Sequence, residues 1–218
     1  MRVMDISDLF SGEYIAFFAI MVVVIPFLFW SSKQGMMFEE KRQAAWANMA
    51  SPLGLTYEKG GVLSGEFEGL PVRIFREKGE RMGSTKADAS VYVVRVEVPG
   101  KLPRDFTAAP RKWTSLFERM GVPNVFKAEE PVLDEAHIFQ CGVVSAGEKL
   151  LQEPDVQQAL RDLVNPESVS FVQENHVGLA FETPGFVEDA GKVRRNLESL
   201  ARAANALAQA QERLQLAA

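Results

Sequence analysis

Seventeen consecutive residues from Tyr14 to Trp30, YIAFFAIMVVVIPFLFW, carry no charged side chain. A helix over them covers ~25 Å, and continuing through Ser31 and Ser32 to Lys33 brings it to ~30 Å, the thickness of a bilayer's hydrocarbon core. The run therefore predicts a single transmembrane helix over residues 14–32. Tyr14 and Trp30 bracket it where amphipathic aromatics settle among the headgroups, and Lys33 can extend its ammonium to water. Pro26 removes one backbone donor near the end of the span, where a membrane helix tolerates it. A buried core helix is the competing reading, disfavoured by the bulk and length of the run. A cleaved signal peptide fits poorly. Asp5, Asp8 and Glu13 make the leader acidic, and the stretch from Phe29 to Lys33 has no small-x-small cleavage pattern.

The flanks set the expected orientation. Residues 1–13 form a short acidic leader containing Arg2 and three acids, whereas Lys33, Lys41 and Arg42 follow the span. The positive-inside rule then puts the C-terminal part in the cytoplasm, with the anchor in a bacterial inner membrane. Tyr14, Trp30, Lys33, Lys41 and Arg42 are the predicted membrane-interface residues, and the bilayer is the first predicted partner. Cys141, the single cysteine, suits a reducing compartment and excludes an internal disulfide framework and a Cys-based zinc finger.

The mean hydropathy of -0.05 and the net charge of -5 over 218 residues are averages over unlike segments. From Arg73 to Arg119 there are eleven Lys and Arg against six acids; from Lys127 to Asp189 there are three against thirteen. A basic segment near the anchor would be drawn to anionic headgroups by up to ~1 kcal/mol per near-surface cation, leaving the acidic segment for the cytoplasm or a basic partner. Dispersal of both sets for solubility is the alternative. The negative total gives no reason to expect nucleic-acid binding.

Residues 33–50 keep a helical spacing, with Phe38, Ala45, Trp46 and Met49 opposite Glu39, Glu40, Lys41 and Arg42, and predict a juxtamembrane helix or stalk ended by Ser51-Pro52. From Leu53 the period becomes two. Leu53, Leu55 and Tyr57, then Leu63, Gly65 and Phe67, then Val72 and Ile74 alternate around Gly60-Gly61 and Glu68-Gly69. The strand of residues 89–98 puts Tyr92, Val94, Val96 and Val98 on one face and Arg95 and Glu97 on the other, giving an antiparallel meander. Trp113, Leu116, Phe117 and Met120 predict a short helix. A proline-bounded acidic connector over 122–135 is a possible sub-boundary. Beyond it come a strand over 136–144, a helix over 146–164 broken at Pro154, and a hairpin over 169–181 turning at Glu174-Asn175.

The order predicts an α+β soluble domain over 51–185, a mainly antiparallel sheet with packed helices, followed over 186–218 by a long amphipathic helix starting near Thr183-Pro184. Its seam of Val193, Leu197, Leu200, Leu207 and Leu214 reads either as a face docked on the sheet or as a coiled-coil surface for a protein partner or self-association.

No constellation carries chemistry. His137 and Cys141 share a strand face with Phe139, but zinc needs three or four ligands, and apolar neighbours favour simple burial. His176 reads as a solvated turn residue. Gly83-Ser84-Thr85-Lys86 lacks the spacing and the following helix of a phosphate-binding loop. The pairs Glu129-Glu130 and Asp134-Glu135 sit in the connector, where solvation is the simpler reading. No catalytic residue, cofactor or metal is therefore assigned. The expected function is a membrane-anchored, non-enzymatic interaction or assembly module, such as an accessory subunit of an envelope complex. The alternatives are a tethered small-ligand or lipid sensor, and a tethered enzyme using carboxylates.

Overall fold

Alternating apolar and polar side chains draw residues 55–58, 62–67, 70–78 and 90–97 into four strands. In the computed structural model the described residues are 24, 40–41, 43–58, 60–78, 90–113, 123–182 and 189–216. Strands β1 (Leu55–Glu58), β2 (Val62–Phe67), β3 (Leu70–Lys78) and β4 (Ser90–Glu97) each pair antiparallel with the next. Positive φ at Glu68 (52°) and Gly69 (79°) gives the β2–β3 turn the primed geometry that matches strand twist.

The sheet is wider than a meander. Its remaining strands are β5 (Thr107–Pro110), β6 (Val125–Phe126), β7 (His137–Gln140), β8 (Val169–Gln173) and β9 (His176–Phe181). All nine join in the order β1-β2-β3-β4-β9-β8-β5-β7-β6, every pair antiparallel. The β8–β9 hairpin turns at Glu174 and Asn175, with φ of 50° and 62°. It inserts between β4 and β5, which are sequence neighbours but not sheet neighbours.

The connector over 122–135 contributes an element of each kind. β6 pairs with β7, and α2 (Pro131–Ala136) begins where Glu130 accepts from the Leu133 N–H at 2.7 Å. Proline at the first helical position suits this start. Between β5 and α2 the chain also makes a short 3-10 turn, Arg111–Trp113; Leu116, Phe117 and Met120 of the expected helix lie outside the described residues.

Helices cover one face of the sheet. Helical residues 45–53, here α1, bury Trp46, Met49, Ala50 and Leu53, and the Trp46 ring meets Tyr92 edge-on at 6.0 Å. This helix runs through Ser51-Pro52 instead of ending there. It stops at Gly54, whose φ of 70° terminates it as its N–H bonds to the Ser51 carbonyl at 3.1 Å. Next come α3 (Val144–Gln152) and α4 (Pro154–Arg161), separated at Pro154 as its lost donor requires, and α5 (Ala190–Leu216). The α5 start is capped by Asp189, whose carboxylate accepts from the Gly191 and Lys192 N–H groups at 2.8 and 3.2 Å. The Thr183-Pro184 start lies outside the described residues.

The opposite face carries a smaller cluster. Val91, Val93, Phe171 and Ala180 are buried there, with Phe75 and Val169 packed against them. β4 is thus apolar on both sides, although Arg95 and Glu97 do point away from the helices as expected. Gly178 is obligatory beneath the Phe171 ring, since a Cβ there would come within 2.2 Å of its Cζ.

Residues 1–44 form a separate unit, in which Val24 and Lys41 are helical and exposed. The rest of the apolar run, with Tyr14, Trp30, Lys33 and Arg42, lies outside the described residues. Among the described residues no helix is long and apolar enough to cross a membrane.

Candidate functional site

α5 carries the apolar seam whose two expected roles are docking on the sheet and meeting a partner. Val193, Leu197, Leu200 and Leu207 are wholly buried in the chain's own core, joined by Ala201, Ala203, Ala204 and Ala210. Burying four such aliphatic side chains contributes roughly 6–12 kcal/mol before conformational entropy is set against it. The alanines widen the buried stripe, so that one helix packs against both the sheet and its neighbours α3 and α4. A seam committed inward to this extent is not a free coiled-coil face. Leu214 differs, because it is only partly buried.

Leu214 lines a groove of about 400 Å³ at the C-terminal end of α5, within the usual range for binding sites. Gln211 and Gln215 come from the same helix. Val143, Ser145, Ala146 and Lys149 come from α3 and the residue before it, and Pro103 and Arg104 from the β4–β5 connection. Val143 is 59% exposed, an apolar side chain offered to solvent at the rim. Arg104 and Lys149 make the walls positive, and Asp105 lies 3.4 Å from the Arg104 guanidinium.

Three features hold these walls. The β4–β5 connection is latched by Asn175: its side-chain oxygen accepts from Leu102 N–H at 3.0 Å, and its amide donates to the Val98 and Gly100 carbonyls, both at 2.8 Å. The Arg104 carbonyl is pinned by the Gly142 N–H at 2.8 Å and faces the Cys141 thiol at 3.6 Å. The last turns of α5 are tied to the α3–α4 corner by Arg213, which lies 2.6 Å from Glu153 and 3.7 Å from Asp155.

His137 and Cys141 do share a face, but Phe139 lies between them, and four residues of extended chain separate them by ~13 Å. Both are buried. The His137 Nε2 lies 2.9 Å from the Ser170 hydroxyl and 3.0 Å from the Ser170 carbonyl, while among the described residues no group meets hydrogen-bond geometry at the buried Nδ1. Burial holds its pKa below the usual histidine value, with the Ser170 and Leu133 backbones pulling weakly the other way. His137 and Ser170 are thus both buried in the sheet, 3% and 6% exposed, and among the described residues no carboxylate is hydrogen-bonded to the imidazole. His176 is only partly buried and its Nδ1 lies 2.7 Å from the Glu174 carbonyl.

Two of the four connector acids have structural work. Glu130 caps α2 and lies 3.3 Å from Arg161, and Asp134 accepts from the Ala128 N–H at 2.7 Å. Among the described residues no three His, Cys, Asp or Glu side chains converge to hold a metal ion. Gly83 to Lys86 lies outside the described residues.

Compared with protein-family models, with curated proteins and with solved structures, the chain finds no match. The groove therefore stands on its own geometry. Pro103, Arg104, Val143 and Lys149 carried no signal in the sequence, since they meet only through the sheet order and the docking of α5.

Proposed function

We propose that the chain is a membrane-tethered, non-enzymatic interaction module that docks a partner protein in the groove closing the end of α5. The observation supporting this reading is Leu214. It is the one member of the helix seam left at the surface, and it lies beside the exposed Val143 in an apolar groove with positive walls. The partner segment that fits is short and apolar with acidic flanks, its side chains resting on Val143, Ala146 and Leu214 and its carboxylates meeting Arg104 and Lys149. The apolar contacts supply affinity, and the charges supply orientation and rate.

The open groove favours a protein segment over an enclosed small molecule. The carboxylate-enzyme reading loses weight because Glu130 and Asp134 are already occupied by backbone amides. The tether rests on the uncharged run from Tyr14 to Trp30, which is long enough to span.

The test uses the full chain in its native membranes. Leu214→Glu places a carboxylate on the apolar floor, where the fold itself has little at stake, and is expected to abolish co-purification of a stoichiometric partner while leaving thermal stability within a few degrees. Alkaline carbonate should leave the chain in the membrane pellet. Retention of the same partner by Leu214→Glu, or release of the chain by carbonate, would count against the respective half of the proposal.

A further inference from the structure

On the sheet face away from the helices, Arg73 of β3 stands directly opposite Arg95 of β4. Like charges in that position oppose strand pairing. Among the described residues no carboxylate forms an ion pair with either guanidinium, and both lie over one ring, Phe75, at 5.5 and 5.1 Å from its centroid. The two cations are thus no more than about 11 Å apart, preorganised on an aromatic surface as cation–π geometry favours.

The surroundings leave the pair facing outward. The row across the sheet reads Ser64, Arg73, Arg95, Gly178, Phe171. Gly178 offers no side chain to Arg95, and the Phe171 ring fills the space above it. Ser64 is engaged with Glu58. Among the described residues the Arg95 Nε is buried without an acceptor. Burial and then Arg73 weaken the hold of Arg95 on its proton, with Glu174 and then Glu97, two residues along the same strand face, acting the other way. Two guanidiniums over one ring, Arg73 exposed and Arg95 half-buried, with Glu97 on the same face but no carboxylate ion-paired to either among the described residues, match an oxyanion that can accept forked pairs of N–H groups.

We propose that Arg73 and Arg95, held on Phe75, form a binding site for a phosphate-type oxyanion, supplied either by an anionic lipid headgroup or by a soluble phosphate compound. The inference is independent of the groove: it concerns the other face of the sheet and different residues.

The experiment measures phenylglyoxal modification of individual arginines by peptide mass spectrometry. The full chain is placed in phosphatidylcholine nanodiscs, with and without inorganic phosphate, at equal ionic strength maintained with chloride. A second preparation uses nanodiscs containing phosphatidylglycerol and no added phosphate. The expected result is at least threefold slower modification of Arg73 and Arg95, with Arg202 on α5 unchanged. Protection by inorganic phosphate alone assigns a soluble ligand; protection in the phosphatidylglycerol discs assigns the headgroup. Arg73→Gln should remove the protection of Arg95, and Arg73→Lys should keep part of it. Unchanged rates at Arg73 and Arg95 under both conditions, or equal slowing at Arg202, would overturn the proposal.

Discussion

Replacing Asn175 probes how the groove's outer wall is held. The side chain makes three hydrogen bonds to the β4–β5 connection, to Leu102 N–H and to the Val98 and Gly100 carbonyls. A net worth of about 0.5–1.5 kcal/mol each would give about 1.5–4.5 kcal/mol in total. The Gly100 contact is exposed and water replaces it, so the lower half applies, about 2 kcal/mol. Asn175→Gly keeps the positive φ of 62° without strain but loosens the unfolded chain, adding roughly 0.5 kcal/mol. Asn175→Ala adds a left-handed cost of about 1–2 kcal/mol. Urea unfolding of the full chain in non-ionic detergent should show losses of about 2.5 kcal/mol for glycine and about 3–4 kcal/mol for alanine. Amide exchange at Leu102 should accelerate in both. If Asn175→Gly lies within about 0.5 kcal/mol of wild type and Leu102 keeps its protection, the latch is not what orders residues 98–106, and the reasoning fails.

Three further outcomes follow from the packing and the buried histidine. Gly178→Ala drives a methyl into the Phe171 ring and should cost about 1–3 kcal/mol, read as a lower denaturation midpoint; a neutral result would mean that the ring moves freely. Leu200→Ala empties a fully buried site on α5 and should cost about 2–5 kcal/mol; a loss below about 1 kcal/mol would show that α5 does not pack as described. The folded-state pKa of His137 is depressed chiefly by burial, so its contribution is complete above the unfolded value of about 6.5 and declines as pH falls from there toward the folded value, by up to ~1.4 kcal/mol per unit. His137→Gln should flatten that part of the stability profile, and an unchanged slope between pH 6.5 and 5 would rule His137 out as its source.

Where the chain repeats a period over several residues, its fold could be read in advance. The alternations from Leu55 to Ile74 and from Tyr92 to Val98, and the Glu174-Asn175 turn, carry a period or a turn chemistry, and β1 to β4 and the β8–β9 hairpin follow from them. β5 and β6 have four and two residues, too few to display a period, and their place in the sheet comes from partners more than ten residues away. α2 was hidden by its acids: Glu130 and Pro131 form a helix start, but in a run of charges they read as connector. The seam of α5 was visible, and its direction was not, because periodicity identifies an apolar face without saying what covers it. The groove was invisible for a similar reason. Pro103, Val143 and Leu214 are each tens of residues apart, and only the long-range order of strands and the docking of α5 bring them together.

The most direct test of partner docking is position-specific photo-crosslinking in intact membranes. A photoreactive residue is placed in turn at Val143 and Leu214 in the groove and at Glu198 on the exposed side of α5. The expected result is one crosslinked protein band shared by positions 143 and 214, absent at 198 and lost at 143 when Leu214 is changed to Glu. The same band at all three positions, or none at 143 and 214, would contradict docking of a partner at the end of α5.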